Sequence, residues 1–221
     1  MIPPGQSAGF VAQMEQVLDV YKRLYDPARP VVCMDESPKQ LISPSRPGLA
    51  MAPGREQRRD YEYVRHGVAN IFMANEPLKG KRIVEVTEKK TKKDWAVFIR
   101  ELADRHYPRA EKITLVMDNF RTHCPSALYE AFPPEEAKRI WDRFEFIFTP
   151  RHGSWLNMAE IELNVLNKQC LSRHIASIES IRKQVRAWQE ERNGKASTID
   201  WQFSKENARI KLKRLYPTIH G

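Results

Sequence analysis

Two aspartates each follow directly after a short apolar run, a position from which an acid can act at the edge of a sheet. Asp118 follows the run 113–117, and Asp35 follows the run 31–34. Apolar runs of this length with polar flanks predict buried strands, and open α/β sheets bind their ligands beyond the carboxyl ends of such strands. A single aspartate at this position is often only a turn cap. Two aspartates in the same pattern indicate that both belong to one functional site.

Two acids on neighbouring strand ends predict a divalent-metal site, because Mg²⁺ prefers a few carboxylates together with waters and phosphates. A third acid is expected from the helix after residues 144–149, which offers Glu160 and Glu162. At 100° per residue these two side chains point about 200° apart, so one at most faces the site.

The polar neighbours of the two glutamates favour Glu160. At helical spacing, Glu160 shares a polar stripe with Asn157, Asn164, Asn167 and Lys168, whereas Glu162 lines up with Gln169 and Arg173 across apolar residues. Since polar groups in a core need partners, the first stripe should face a wet cleft. The alternative is that either glutamate is a surface residue or a first-turn acid favoured by the helix dipole.

The composition restricts the class of protein. The chain has 221 residues, a formal charge of +9 and a pI near 9.5, which favours a polyanionic partner over the alternative of a solvated cationic face. Three separated cysteines without a CxxC pair argue against a disulfide framework or a zinc site. No secretory signal or membrane-spanning apolar run is recognisable, so a soluble, cytoplasmic protein without a membrane partner is expected.

The remaining elements are predicted from periodicity and turn signals. An amphipathic helix carries apolar residues from Phe10 to Leu24, and residues 38–60 form a long loop with several arginines. Two strands are predicted within 61–77, with Gly67 and Asn70 as turn residues. A third strand at 82–87 completes a hairpin through Lys79 and Gly80.

The second half of the chain alternates helices with strands. A helix capped by Thr91 and Asp94 precedes the 113–117 strand. The later elements are a short helix opened by Pro133 and Pro134, a strand at 144–149, and helices at about 155–170, 178–188 and 203–215. This order predicts an α/β protein with a ribonuclease H-like mixed sheet flanked by helices.

Three blocks of sequence resemble the catalytic blocks of DDE transposases, of the bacterial insertion-sequence branch related to the mariner transposases. The blocks are Val-Val-Cys-Met-Asp-Glu at 31–36, Leu-Val-Met-Asp-Asn at 115–119 with Thr122 and His123, and Thr-Pro-Arg-His-Gly-Ser-Trp-Leu-Asn-Met-Ala-Glu at 149–160. The resemblance implies that Asp35, Asp118 and Glu160 are the catalytic, metal-binding triad. It also implies two Mg²⁺ or Mn²⁺ ions and cut-and-paste transposition into TA target dinucleotides.

The same resemblance implies a domain plan and partners. Residues 1–27 would be a linker helix, 28–195 the catalytic domain and 196–221 a basic helical extension. The family's N-terminal helix-turn-helix region is not recognisable in residues 1–30, so a catalytic-domain fragment is expected. The expected partners are transposon-end and target DNA and a second copy in a homodimer, in a bacterial cytoplasm and on the nucleoid when DNA is bound.

Several basic side chains are candidate DNA contacts, since cations on one face neutralise phosphates. They are Arg121, His123, Arg151, His152, Lys89, Lys90, Lys92 and Lys93. For each lysine and arginine a solvated surface role is the alternative, and for each histidine a structural hydrogen bond.

Three hypotheses for function remain open on this basis. The first is a transposase catalytic domain, and the second is a ribonuclease H-like nuclease or resolvase without transposition. The third is a catalytically silent fragment that binds DNA or a partner transposase.

Overall fold

A five-stranded mixed sheet forms the centre of the computed structural model, which describes residues 2–3, 5–46, 62–118 and 124–218. The strands are β1 (Val31–Pro44), β2 (Tyr63–Glu76), β3 (Lys81–Thr87), β4 (Ile113–Met117) and β5 (Phe144–Phe148). They lie in the order β3-β2-β1-β4-β5. The pairs β1–β2 and β2–β3 are antiparallel, whereas β1–β4 and β4–β5 are parallel.

Helices cover both faces of this sheet and bury two apolar cores. They are α1 (Ala8–Tyr21), α2 (Lys92–Glu101), α3 (Ser126–Ala131), α4 (Pro134–Asp142), α5 (Met158–Leu166), α6 (Ile178–Gly194) and α7 (Lys205–Lys211). The first core lies under α1, α5, α6 and α7, and the second under α2, α3 and α4. Among the described helices, none has both the length and the apolar character that crossing a bilayer requires.

The first strand is longer than the sequence predicts. We expected a strand ending at Met34 and a loop from residue 38, but β1 continues to Pro44, so the loop prediction is wrong as far as that residue. Pairing with β2 from Cys33 to Pro44 stabilises this extended segment as a strand. Pro38 is tolerated because the recorded pairing of β1 with β4 ends at Cys33, and proline is acceptable at an unpaired edge. The arginines at 55, 58 and 59 lie outside the described residues.

Gly67 forms a bulge rather than a turn. Gln40 lies opposite Val68 and Ile42 lies opposite Arg65, so β2 holds one extra residue at this point. Gly67 takes a φ of 101°, which glycine adopts without strain. Since β2 is one continuous strand, the prediction of two strands in this part of the chain is wrong.

Other local predictions are confirmed. β2 and β3 form the predicted hairpin, with Gly80 at a φ of 68°. At the start of α2, Thr91 and Asp94 form a reciprocal capping box.

The first helix ends earlier than predicted, at Tyr21, and Leu24 is 92% exposed.

One edge of the sheet is covered by side chains from α6. Gln189 accepts a hydrogen bond from the Val84 N–H (2.6 Å), and Asn193 bonds both the N–H and the carbonyl of Arg82. Since β3 is an edge strand, its outward backbone groups would otherwise be open to pairing with another chain. Helix α6 therefore satisfies this edge and fixes its own position against β3.

Candidate active site

Asp35 and Asp118 lie at matching positions relative to two neighbouring parallel strands. The last pair between β1 and β4 joins Cys33 to Val116, and each aspartate lies two residues further along the chain, Asp35 within β1 and Asp118 directly after the end of β4. Side chains two residues apart on a strand point to the same face, and paired strands lie about 4.8 Å apart. The two carboxylates therefore converge on one face of the sheet.

Glu160 reaches that face from the helix packed on it. It lies in the first turn of α5, which packs against β1 and β2. All three acids are partly exposed, so the acidic site that they share (the cleft) is accessible to solvent. A negative charge in a first turn is favoured by the helix dipole.

The electrostatics of Asp35 show that the three acids interact. Its pKa is raised from 3.8 to about 7, first because the carboxyl group is largely buried. The hydrogen bond from the Glu36 N–H (2.8 Å) lowers the pKa, and the negative charges of Asp118, Glu160 and Glu36 raise it again. Positive charge brought into the cleft would relieve this repulsion.

The acids have the donor chemistry of a Mg²⁺ or Mn²⁺ site, since hard dications prefer carboxylate oxygens. Within the described ranges, no group of three or more His, Cys, Asp and Glu side chains is already arranged as a coordination shell. The donor set therefore fits a divalent cation in its chemistry.

Glu162 has a different environment from Glu160. Its carboxylate is buried and accepts paired hydrogen bonds from Arg82 (2.9 and 2.7 Å) and from Arg192 (2.8 and 3.0 Å). Burial alone raises the pKa of Glu162, but the two guanidinium groups outweigh it and the pKa is lowered. Glu162 is therefore a charged structural residue.

The rest of the Glu162 line also contacts α6. Gln169 accepts a hydrogen bond from the Trp188 indole N–H (2.8 Å), and Arg173 donates to Gln184 (2.7 Å). With Glu162 bound to Arg192, these pairs form an antiparallel ladder between the α5 region and α6. Glu162, Gln169 and Arg173 thus share the face of the α5 region that contacts α6, a contact that the sequence did not predict.

Asn157 departs from the predicted polar stripe. Its side chain is completely buried, whereas Asn164, Asn167 and Lys168 are exposed. Asn157 caps α5 by accepting from the Ala159 N–H (3.1 Å), and it donates to the Met34 carbonyl (2.8 Å). The signal in the sequence was an asparagine directly before a helix, where it is a preferred cap.

In the lysine cluster at 89–93, two side chains form ion pairs and two are exposed. Lys90 forms an ion pair with Glu36 (3.1 Å), and Lys92 forms one with Glu130 (2.6 Å). Lys89 and Lys93 are exposed. Two of the four predicted phosphate contacts are thus already engaged with acids.

Arg151 and His152 lie in the tight turn between β5 and α5, and both are exposed. His152 has a φ of 66°, which is uncommon outside glycine. The turn is closed by the Gly153 N–H bonding to Pro150 (2.8 Å), and a Cβ at Gly153 would lie 2.6 Å from the Pro150 ring. Arg121 and His123 lie outside the described residues.

A mixed sheet whose parallel strands bring two aspartates beside a helix-borne glutamate is the arrangement of a ribonuclease H-like protein. The chain belongs to the DDE superfamily endonuclease family, whose model matches residues 30–182, more than half of the chain. A comparison with curated proteins finds no significant match.

Solved structures of a mariner transposase share the fold. The Mos1 mariner paired end complex with Mn has 15% identity and a TM-score of 0.59, over 95% of this chain and 63% of that chain. The Mos1 paired end complex with Mg has 14% identity and a TM-score of 0.58, over 99% and 66%. The Mos1 strand transfer complex has 14% identity and a TM-score of 0.56, over 85% and 59%.

These matches confirm the predicted ribonuclease H-like fold. The chain spans about 59–66% of the length of the transposase chains that it matches.

Proposed function

We propose that this chain is the catalytic domain of a DDE transposase that cleaves DNA at transposon ends and joins them to target DNA. The observation that carries the proposal is the matching position of Asp35 and Asp118 beyond the last pair of the parallel strands β1 and β4, with Glu160 close enough for its charge to act on Asp35. We include in the proposal a TA target dinucleotide and a homodimer on paired ends.

Asp35, Asp118 and Glu160 are the residues that would hold two Mg²⁺ or Mn²⁺ ions. When bound, such ions favour attack on phosphorus and stabilise the departing oxygen. The three carboxylates would hold the cations without neutralising them fully, which would leave a site for a DNA phosphate.

The reaction exchanges one phosphorus–oxygen bond for another. In cleavage, a water oxygen bonds to phosphorus at the transposon end, the bond to the 3′ oxygen breaks, and that oxygen takes a proton to become a hydroxyl. In joining, the 3′ hydroxyl oxygen attacks a target phosphodiester, and the target's own 3′ oxygen leaves with a proton. Both steps displace a 3′ oxygen from phosphorus and differ only in the nucleophile, so one site can serve both.

Positive side chains around the cleft would bind the DNA backbone. Arg151 and His152 are exposed in the turn between β5 and α5, and Lys89 and Lys93 are exposed before and within α2. The net charge of +9 supports a polyanionic partner. The similar Mos1 structures include a strand transfer complex and paired end complexes with Mn and with Mg, which supports the same class of reaction here.

The direct test is nicking of a labelled transposon-end duplex in the presence of Mn²⁺ or Mg²⁺. Asp35→Asn, Asp118→Asn and Glu160→Gln should each lower the nicking rate by about a hundredfold or more, because ion-borne stabilisation of the transition state is worth several kcal/mol. Glu179→Gln, an exposed first-turn acid of α6, is the matched control and should nick as the wild type does. Full activity in any of the three variants would remove that residue from the triad.

A second measurement separates a transposase from a simple nuclease. A pre-cleaved end with a free 3′ hydroxyl is offered a target containing TA sites, and joined products are sequenced. Joining at TA supports the proposal, and nicking without any joining would assign the chain to the nucleases instead. Absence of both activities in the wild-type chain with either metal would contradict catalysis by this chain.

A further inference from the structure

The side chain of Asn157 connects the segments that carry two of the three proposed catalytic acids. Its amide nitrogen donates to the Met34 carbonyl (2.8 Å), directly before Asp35, and its amide oxygen accepts from the Ala159 N–H (3.1 Å), directly before Glu160. The residue is 0% exposed. One buried side chain thus joins the backbone of β1 to the first turn of α5.

The connection opposes a repulsion. Asp35 and Glu160 are both acids of one site, and like charges that share a site repel each other. Without bound cations, something other than the acids must hold β1 and the start of α5 together. A buried hydrogen bond to a backbone carbonyl is suited to this, because leaving either partner unsatisfied in the interior is costly.

The backbone N–H of Asn157 does not need the Glu160 carboxylate as a hydrogen-bond partner, so this carboxylate is available to the cleft. In α2 the acid three residues after the cap, Asp94, bonds back to the N–H of Thr91 (2.7 Å). In α5 the corresponding N–H, that of Asn157, donates instead to the Ser154 carbonyl (2.7 Å). The cap is therefore complete without the Glu160 carboxylate.

A second contact holds the same turn from α1. The hydroxyl of Tyr21 donates to the Leu156 carbonyl (2.6 Å), one residue before Asn157. The segment that leads into α5 is thus fixed to β1 by Asn157 and to α1 by Tyr21.

We propose that Asn157 is a positioning residue that sets the separation between Asp35 and Glu160, assisted by Tyr21. This inference rests on the proposed function, since the separation matters only if the two acids share a cation. Asn157 itself is assigned no contact with substrate or ion.

The test measures Mn²⁺ affinity directly, by electron paramagnetic resonance of the free ion, with thermal unfolding of the metal-free chain as a second readout. Asn157→Asp keeps the shape and the cap acceptor but cannot donate to Met34 as a carboxylate. Asn157→Ser also keeps a good cap and is too short to bridge, without adding charge. Ser177→Ala removes the cap of α6 and is the matched control.

Both Asn157 variants should bind Mn²⁺ about 10–100-fold more weakly, as is typical when a residue that orients a metal ligand is lost. Ser177→Ala should lower the unfolding temperature but leave the Mn²⁺ affinity unchanged. Wild-type affinity in folded Asn157→Asp and Asn157→Ser would show that Asn157 is only a helix cap, and would overturn the inference.

Two further variants distinguish a failure of the positioning role from a failure of the proposed function. Tyr21→Phe should weaken Mn²⁺ binding several-fold, and if both Asn157 variants fail to fold, unchanged affinity in this variant overturns the inference. Asp35→Asn reports on the proposed function itself. If Asp35→Asn binds Mn²⁺ as the wild type does, the proposed site is contradicted. If Asp35→Asn loses Mn²⁺ binding but the Asn157 and Tyr21 variants keep it, only the positioning role is contradicted.

Discussion

Glu160 and Glu162 lie two residues apart on one helix and have opposite environments. Glu162 is buried between Arg82 and Arg192, which satisfy both of its oxygens. Glu160 is partly exposed and adds to the negative charge around Asp35. The comparison shows that charge neutralised by the fold contributes to stability, whereas charge left in an acidic cleft is available to a ligand.

The physical origin of the difference is helix geometry. Residues two apart point about 200° from each other, so one glutamate faces α6 and β3 while the other faces the ends of the parallel strands. A carboxylate among carboxylates is unfavourable in the free protein, and such strain is characteristic of sites that bind cations.

The largest expected difference between the two glutamates is in their contribution to the free energy of unfolding. Glu162→Gln should lower the free energy of unfolding by about 3–5 kcal/mol, because it leaves the buried guanidinium of Arg82 and the partly buried one of Arg192 without their counter-charge. Glu160→Gln should change it by no more than about 0.5 kcal/mol, or raise it slightly as repulsion with Asp35 falls. Urea unfolding of both variants at neutral pH measures the difference, and equal losses would mean that the two glutamates are not distinct.

The pH dependence of stability sharpens the same contrast. The pKa of Glu162 is lowered in the folded state from 4.5, the net result of burial that raises it and stronger hydrogen bonds from Arg192 and Arg82 that lower it. Its stabilising contribution is therefore complete above about pH 4.5 and is lost as the pH falls through the folded-state pKa. The difference in unfolding free energy between wild type and Glu162→Gln should narrow below pH 4.5, and a constant difference down to pH 3 would contradict this assignment.

The smallest expected effect concerns a more exposed carboxylate. Glu145 accepts from Arg23 (2.7 and 3.1 Å) and Thr114 (2.7 Å), but its side chain is 38% exposed. Glu145→Gln should lower the unfolding free energy by less than about 1 kcal/mol, because solvent screens the pair. The loss should shrink further in 1 M NaCl, and a cost as large as that of Glu162→Gln would show that burial does not decide the contribution.

Much of the site was predictable because its signals are local. An apolar run followed by an acid can be recognised within about six residues of sequence. This pattern predicted that Asp35 and Asp118 lie near the carboxyl end of the parallel pairing between β1 and β4. The caps of α2 and the hairpin between β2 and β3 depend on neighbours three to five residues away, so they too were predicted.

The errors came from interactions between distant residues. β1 extends to Pro44 because β2 pairs with it, and Gly67 became a bulge because the register of the two strands required an extra residue. Neither requirement is visible in the turn-forming composition of those segments, which favours loops.

The sequence alone determined the order of the elements, the two strand-borne acids and the opposite faces of Glu160 and Glu162, since each follows from periodicity within one element. Only the tertiary structure decided that Arg82 and Arg192 neutralise Glu162, and that Asn157 ties α5 to the residue before Asp35. These contacts join residues 80, 30 and 123 positions apart in the chain. They exist because burial makes an unpaired charge or amide costly, and the folded chain brings the partner that removes that cost.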